Sequence, residues 1–350
     1  MEDRYAPLGG QAVIEGVLMR SSDTLAIAVR KPSNNEIILE TSPVEKNKYS
    51  KLGKIPFVRG IVALVQSMKV GFWALNLSSD IVMKDLDETE KKEKAGIKAE
   101  KENNEDKIEK KSIISTYSKE KHGIEKEKQS LADRALEYFF MGLSIVIAVG
   151  LFLVLPATIF NYLQKFINNV VLLNLIEGTI RISIFMSYIL GISLLKDVKR
   201  LFEYHGAEHK TIHTYEAGEE LTVENAKKYP NLHPRCGTNF LFLTAIISII
   251  LFSFLGHTPD ILTRVASKLI LLPFVASLSY ELIRFAGQIK TKPENLIVRI
   301  AYILSTPGIL MQKLTTREPD ASQLEVAIVS LKATLKNKDL DKKEFQESLI

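Results

Sequence analysis

Long apolar stretches alternate with strongly charged ones along this chain. Beyond residue 130 four segments are predominantly apolar, and each is close to the length of about 20 residues that a helix needs to cross a bilayer. They are 139–160, 172–195, 238–255 and 264–285. Because backbone polar groups in lipid must be satisfied within the segment, these stretches are predicted to be helices. The pattern predicts a mainly α, polytopic membrane helical bundle with about four transmembrane helices.

The apolar stretch 55–82 also has near-helical spacing, but Arg59, Gln66 and Lys69 interrupt it. We therefore predict a helix that lies at the membrane interface or packs on the bundle. A fifth membrane-crossing segment remains the alternative.

The remaining patterns are those of small or polar elements. Short β-branched runs between Ser, Asn, Asp and Pro turns predict a β-meander over residues 8–43. A Lys/Glu run at 84–128 has too few large apolar residues to bury and is predicted to be a disordered linker. In the tail, Asp320 or Ser322 is expected to cap a helix that packs on the cytoplasmic body through the apolar face Leu324, Ile328 and Leu331.

These patterns divide the chain into five parts. They are a small cytoplasmic β-meander at 1–50, an interfacial or membrane-packed helix at 51–83, a linker at 84–130, a transmembrane bundle at 131–288 with a His-rich loop at 196–237, and a cytoplasmic helical tail at 289–350.

Charge and cysteine content narrow the functional class. The formal net charge is +5, and no Arg-rich patch interleaved with aromatic residues is present, so specific nucleic-acid binding is not expected. Cys236 is the single cysteine, which excludes an intrachain disulfide. The first ten residues lack the features of a signal peptide. Lys and Arg are concentrated in the loop 196–237, in the N-terminal region and in the tail, which predicts a multi-pass protein of the cell (cytoplasmic) membrane with both termini cytoplasmic.

The residues with the clearest chemistry are histidines. His205, His209 and His213 are spaced four residues apart, so a helix would present all three on one face. Two imidazoles one turn apart are a common Zn²⁺-binding arrangement. His205-x-x-Glu208-His209 also matches the inverted zincin pattern, in which the glutamate is the general base.

Further ligand-type residues are expected at the same membrane boundary, because the predicted helices end there. We predict a divalent metal site, with Zn²⁺ the expected ion and Glu208 as the catalytic base. The predicted ligands are His205, His209, His213, His233, Cys236 and Glu281, and Glu216 is a further candidate.

Structural explanations of the same residues remain open. The histidines could form an interfacial helix face that contacts lipid phosphates. Glu208 could pair with Lys210 or cap a helix, and Cys236 could be a small packing residue. Glu281 could be the buried partner of Arg284 or Arg59.

Six stretches resemble the YqhQ-like family of bacterial membrane proteins. They are GGQAVIEGVLMR (9–20), PFVRGI (56–61), EYHGAEHKTIHTYE (203–216), HPRCGTNF (233–240), SYELIRFAG (279–287) and TTREPDASQLEVAI (315–328). The family is a domain of unknown function that is often described as a predicted metal-dependent enzyme. The resemblance therefore implies a bacterial cytoplasmic-membrane protein with a bound metal.

Three functions compete at this stage. The first is a membrane-embedded metal-dependent hydrolase of peptide or lipid-derived substrates. The second is a non-enzymatic accessory factor in membrane-protein biogenesis, associated with a translocon or ribosome. The third, a transporter, is disfavoured because the sequence shows no inverted repeat and few polar groups within the predicted spans. The lipid bilayer is the expected partner, and a homo-oligomer is predicted because four helices make a small bundle.

Overall fold

A five-stranded sheet forms the N-terminal part of the protein. The computed structural model describes residues 8–44, 55–99, 114–116, 131–254, 260–289 and 293–335. Strands β1 to β4 form an antiparallel meander in chain order, and β5 adds in parallel to β4. The predicted β-meander is thereby confirmed. The strands are β1 Gly9–Val13, β2 Gly16–Arg20, β3 Thr24–Arg30, β4 Ile37–Pro43 and β5 Ile114–Thr116.

Helices make up most of the rest of the described chain. A π-helical turn, Gly150–Val154, joins α2 to α3. The helices are α1 Val58–Ala99, α2 Leu131–Val149, α3 Leu155–Leu163, α4 Val170–Ile192, α5 Lys196–Glu216, α6 Val223–Lys227, α7 Gly237–Ser253, α8 Ile261–Ala286, α9 Leu296–Thr315 and α10 Ala321–Leu335.

Both faces of the sheet carry apolar side chains, and helices pack on each face and bury them. On one face, Met19 and Ile37 pack against α5 and α10. The predicted apolar face of the tail helix, Leu324, Ile328 and Leu331, lies in this core. Asp320 caps α10, since its Oδ1 accepts a hydrogen bond of 2.9 Å from the Gln323 amide.

The opposite face of the sheet is covered by α1. Ala74 and Val82 of α1 pack against Val13, Leu18 and Ile27. The helix continues to Ala99, which is beyond the predicted start of the linker at 84. Apart from Ile114–Thr116, the rest of the predicted linker lies outside the described residues.

Four helical stretches in the described residues are long and apolar enough to cross a membrane. They are Val58–Lys91, Phe139–Leu163, Val170–Ile192 and Val265–Ala286, and α7 is a shorter apolar helix. The last three of the four correspond to predicted segments, and α7 corresponds to the predicted segment 238–255. The expected fold class, a mainly α membrane bundle with an N-terminal sheet, is confirmed.

α1 differs from the other long apolar helices in what it touches. Near its start, Phe57 stacks on Phe274 of α8, with ring centroids 5.9 Å apart. Further along, Val70 and Ile81 pack against the sheet. The helix therefore contacts both α8 and the sheet. The helix at the membrane interface or packed on the bundle stays a prediction, as does its alternative, a further membrane-crossing segment, because Val58–Lys91 is also long and apolar enough to span a membrane.

α9 lies in 289–350, which was predicted as a cytoplasmic helical tail with one packed helix near its end. The helix packs along α7 and α8. Gly308 makes the approach to α7 close, because a Cβ atom there would lie 2.2 Å from Oδ1 of Asn239. Ile300 and Ile303 are exposed apolar side chains on α9. We therefore group α9 with the helical bundle and not with the tail.

Candidate metal centre

α5 carries the histidine motif into the interior of the protein. The helix is buried between the sheet and α10, and Gly206 allows it to approach the segment before α10. A Cβ atom at Gly206 would lie only 2.1 Å from the carbonyl oxygen of Arg317. His209 and His213 are 1% and 6% exposed, which argues against a histidine face that contacts lipid phosphates.

Three of the predicted ligands converge in space. The ligand atoms of His205, His209 and Cys236 all lie within 4.8 Å of one another. Nε2 of His205 lies 3.1 Å from Sγ of Cys236, at the N-terminus of α7. In tetrahedral coordination a Zn²⁺ ion would hold an N and an S ligand about 3.5 Å apart, given its usual bond lengths. The observed separation is therefore compatible with a shared metal ion after a small adjustment.

Backbone carbonyl groups hold both imidazoles in one orientation. Nδ1 of His205 lies 2.8 Å from the carbonyl oxygen of Thr315, and Nδ1 of His209 lies 2.7 Å from that of Asn231. A carbonyl oxygen only accepts hydrogen bonds, so each Nδ1 is the donor. This leaves Nε2 of both rings available as a ligand atom, as is usual for metal-binding histidines.

His205 and Cys236 also change each other's ionisation. Burial opposes the charged form of His205, but the neighbouring Cys236 and Glu208 raise its pKa to about 9. Burial likewise opposes the thiolate of Cys236, yet His205 and His209 bring the pKa of this thiol well below 9.0. The site therefore favours the thiolate, which is the form of cysteine that binds metals.

Glu208 lies beside these ligands. Its side chain is buried, and among the described residues its carboxylate has no hydrogen-bond partner. Burial raises the pKa of Glu208, while His209 and His205 oppose this shift. Lys210, the alternative partner suggested by the sequence, forms a 2.6 Å ion pair with Glu318 instead.

A cavity of about 720 Å³ connects the ligands with the surroundings. Its lining includes His205, Glu208, His209 and Cys236, together with residues of β1, α1, α7 and α8. This volume lies within the range of about 300–1,000 Å³ that is typical of small-molecule sites. The candidate ligands and the Glu208 carboxylate thus face a space large enough for a small molecule.

The other predicted ligands are placed differently. His213 and His233 form a second group with Glu216, whose ligand atoms also lie within 4.8 Å of one another. Glu216 is held by Arg235, and Nε2 of His213 lies 2.8 Å from the carbonyl oxygen of Leu232. The rings of His209 and His233 are 5.6 Å apart, so the two groups are neighbours.

Glu281 belongs to neither group. Its carboxylate pairs with the Arg59 guanidinium through two hydrogen bonds and also faces the Phe57 amide, 3.5 Å away. The structure therefore favours the alternative in which Glu281 is the partner of Arg59, and the prediction that it is a metal ligand finds no support in its contacts.

Comparison with known proteins places the chain in a family. The profile of a family described as "Protein of unknown function (DUF1385)" matches residues 55–337. This chain belongs to that family. A protein of Bacillus subtilis (strain 168) described as "Uncharacterized protein YqhQ" is 30% identical over 341 residues, which are 97% of this chain and 96% of that relative. The resemblance to the YqhQ-like family is confirmed. No solved structure matches the chain.

Two sets of buried polar residues are not among those predicted from the sequence. Gln312 of α9 binds both backbone groups of His233, donating to its carbonyl and accepting from its amide at 2.7 Å each. Within the bundle, Glu177 pairs with Arg181 and Lys268. An isolated glutamine and three charges dispersed over two apolar helices leave no local pattern, so only the tertiary structure reveals them.

Proposed function

We propose that this protein is a membrane-embedded, metal-dependent hydrolase. His205, His209 and Cys236 are the metal ligands, and Glu208 is the general base. The observation that supports the proposal most strongly is the convergence of three ligand atoms and an unpaired carboxylate on one cavity wall. Catalytic zinc sites typically combine three protein ligands with one open position.

The donor atoms favour zinc among the divalent metals. Imidazole nitrogen and thiolate sulfur are its preferred ligands, whereas Mg²⁺ and Ca²⁺ select oxygen ligands. The second group, around His213 and Glu216, is a weaker candidate because Arg235 already neutralises its carboxylate.

Each residue has a defined part in the proposed reaction. When bound, Zn²⁺ would lower the pKa of a water molecule to about 7 and polarise the substrate. The carbonyl groups of Thr315 and Asn231 keep the two imidazoles aligned. Glu208 accepts a proton and later releases it to the leaving group, and burial raises its pKa, which makes it a stronger base than an exposed carboxylate.

The proposal also includes an orientation. The Lys and Arg residues of the 196–237 region favour the cytoplasmic side of the cell membrane, with both termini on that side. The site would then lie at the inner membrane surface, where α5, α7 and the end of α8 meet. The predicted homo-oligomer and the predicted biogenesis partner remain predictions.

Elemental analysis of the purified protein tests the metal site. We expect about one zinc ion per chain in the wild type and in Glu208→Gln, because Glu208 is not a ligand in this proposal. His205→Ala combined with His209→Ala should remove the metal. His213→Ala is the matched control, since it removes an imidazole from the same helix face but from the second group.

Metal content and rescue by the variants together distinguish a hydrolase from a non-enzymatic accessory factor. Metal content unchanged in the double variant would exclude the proposed site. If zinc is retained in Glu208→Gln but a cell lacking the native protein is rescued equally well by this variant, the role is not hydrolytic, and the accessory-factor hypothesis gains.

A further inference from the structure

The strand at the edge of the sheet lies on the wall of the catalytic cavity. β1 is the first strand of the sheet order, and Gly10, Gln11 and Ala12 line the cavity. An edge strand has N–H and C=O groups on one side that no neighbouring strand satisfies. In the described part of the chain, Gly10 and Ala12 form no backbone hydrogen bond on that side.

The register tells which groups face outwards. Val13 lies opposite Gly16 across a two-residue turn, and Gln11 lies opposite Leu18. In antiparallel pairs, residues that bond to the partner strand alternate with residues whose polar groups point away. Because Val13 flanks the two-residue turn, Val13 and Gln11 are the residues that bond to β2. The backbone groups of Gly10 and Ala12 are therefore directed towards the free edge.

This free edge passes directly beside the proposed general base. A Cβ atom at Gly10 would lie 2.6 Å from Oε1 of Glu208, so the strand and the carboxylate are in contact. A chain bound along β1 would therefore have a backbone carbonyl group close to Glu208 and to the ligands of the metal.

The remaining walls of the cavity suit apolar side chains. Met68 and Phe72 of α1 and Leu241 of α7 line it, although they are 53%, 63% and 55% exposed. These residues belong to helices apolar enough for contact with lipid. Among the lining residues, Arg235 is the single Lys or Arg, and Glu216 already binds it. The part of the cavity lining formed by α1 and α7 is thus mostly apolar and carries little unpaired positive charge.

We infer that the substrate is an extended apolar peptide segment, which binds as an added strand along β1. This inference rests on the proposed function for the reaction, but not for the binding. An extended backbone in an apolar environment needs hydrogen-bond partners, and the free edge supplies them. Alternate side chains of the peptide would contact Met68, Phe72 and Leu241. A lipid substrate would use the same apolar walls but would make no use of the edge.

The reaction consumes one water molecule. A C–O bond forms at the peptide carbonyl carbon and the C–N bond breaks, which gives a carboxylate and an amine. The proton that Glu208 takes from the water passes to the leaving nitrogen. No oxidant, reductant or second substrate is needed.

Photocrosslinking of the full-length protein in phosphatidylethanolamine–phosphatidylglycerol vesicles tests the inference. The probe is a peptide of Leu and Ala about eight residues long, near the length of a strand, with one photoreactive leucine. Its matched control carries N-methyl groups at alternate positions, so the side chains are kept but the N–H donors are lost. We expect the N-methylated peptide to label α1, α7 and β1 at least about tenfold less than the unmethylated peptide does.

A variant of the strand provides a second control. Ala12→Pro removes the outward N–H while leaving the bonds to β2, since proline is tolerated on edge strands. It should reduce labelling, whereas Ala12→Val should not. Equal labelling by both peptides would overturn the inference, as would labelling of the cavity by a diazirine phospholipid in place of the peptide.

The labelling experiment tests the peptide-binding inference independently of the proposed metal site. The His205→Ala and His209→Ala double variant keeps the β1 edge, so peptide labelling should persist in it. If the wild type is labelled but contains no zinc, the peptide site is supported and the metal site is excluded. If the wild type binds zinc but shows no preference for the unmethylated peptide, the metal site is supported and the peptide site is excluded.

Discussion

Nε2 of His205 lies 3.1 Å from Sγ of Cys236, although 31 residues separate them in the sequence. The contact joins α5 to the start of α7 and brings an imidazole and a thiol together in a buried place. Each group shifts the ionisation of the other, because an imidazolium and a thiolate attract. The consequences can be measured on the metal-free protein.

The first prediction concerns the reactivity of Cys236. Because His205 and His209 lower its pKa well below 9.0, a larger share of the thiol should be ionised at a given pH than in an ordinary cysteine. Alkylation by iodoacetamide should therefore rise less steeply between about pH 7 and pH 9 in the wild type than in His205→Ala. In His205→Ala the rate should rise with pH over this range, and bound zinc should protect the wild-type thiol. Equal pH profiles for the two proteins would show that the pair does not form.

The second prediction concerns Glu208 and stability. Its pKa in the folded protein is raised above the ordinary value of 4.5, so folding favours the protonated form. The buried carboxylate therefore costs stability increasingly as the pH rises above that value. In metal-free protein Glu208→Gln should be more stable than the wild type near pH 8, by on the order of 1–3 kcal/mol.

The same comparison near pH 4 supplies the control for Glu208→Gln. Below the ordinary pKa both proteins carry a neutral group there, so their unfolding temperatures should converge. A destabilisation by Glu208→Gln at every pH would mean that the carboxylate is held by a favourable interaction and is not a free base.

The sequence was informative wherever a pattern was local. The spacing of His205 and His209 predicted two imidazoles on one helix face, and both lie on α5, while the turn signals between short apolar runs located the meander. The long apolar helices were recognisable because each is predominantly apolar over about 20 residues. These features depend on neighbours within one or two turns, which a sequence displays directly.

Features that depend on tertiary packing were not recoverable in the same way. In the sequence Glu281 and Cys236 are equally suitable as ligands. Only the packing of α1 on α8 shows that Glu281 forms an ion pair with Arg59. α9 was missed because Arg299, Pro307 and Lys313 break its apolar run. No local pattern in the sequence indicates that Gly10 lies in close contact with Glu208, 198 residues further along the chain.

The third prediction tests that contact. Gly10→Ala would place a Cβ atom 2.6 Å from Oε1 of Glu208, whereas a Cβ atom at Gly9 would meet nothing within 4 Å. We therefore expect Gly10→Ala to displace Glu208 and to destabilise the protein by about 1–3 kcal/mol, as overpacking usually does. Gly9→Ala should be neutral or slightly stabilising. Denaturant unfolding of both variants measures the difference, and equal stabilities would place Glu208 elsewhere.

The last prediction concerns the charges inside the bundle. Lys268 and Glu177 are 3% and 2% exposed at their side chains, and Arg181 also binds Glu177 at 3.1 Å. Glu177→Gln would leave two buried cations without their carboxylate. Removing one member of a buried ion pair typically costs about 3–5 kcal/mol, so this variant should be strongly destabilised in lipid vesicles or detergent.

Lys268→Met is the informative comparison with Glu177→Gln. It removes one cation, but Glu177 keeps its bond to Arg181, one helical turn away on α4. The stability lost should therefore be clearly smaller than for Glu177→Gln, when both are measured by thermal unfolding in the same detergent. Equal losses would indicate that the two cations do not share the carboxylate. A larger loss for Lys268→Met would mean that Arg181 contributes little to neutralising Glu177 within the apolar bundle.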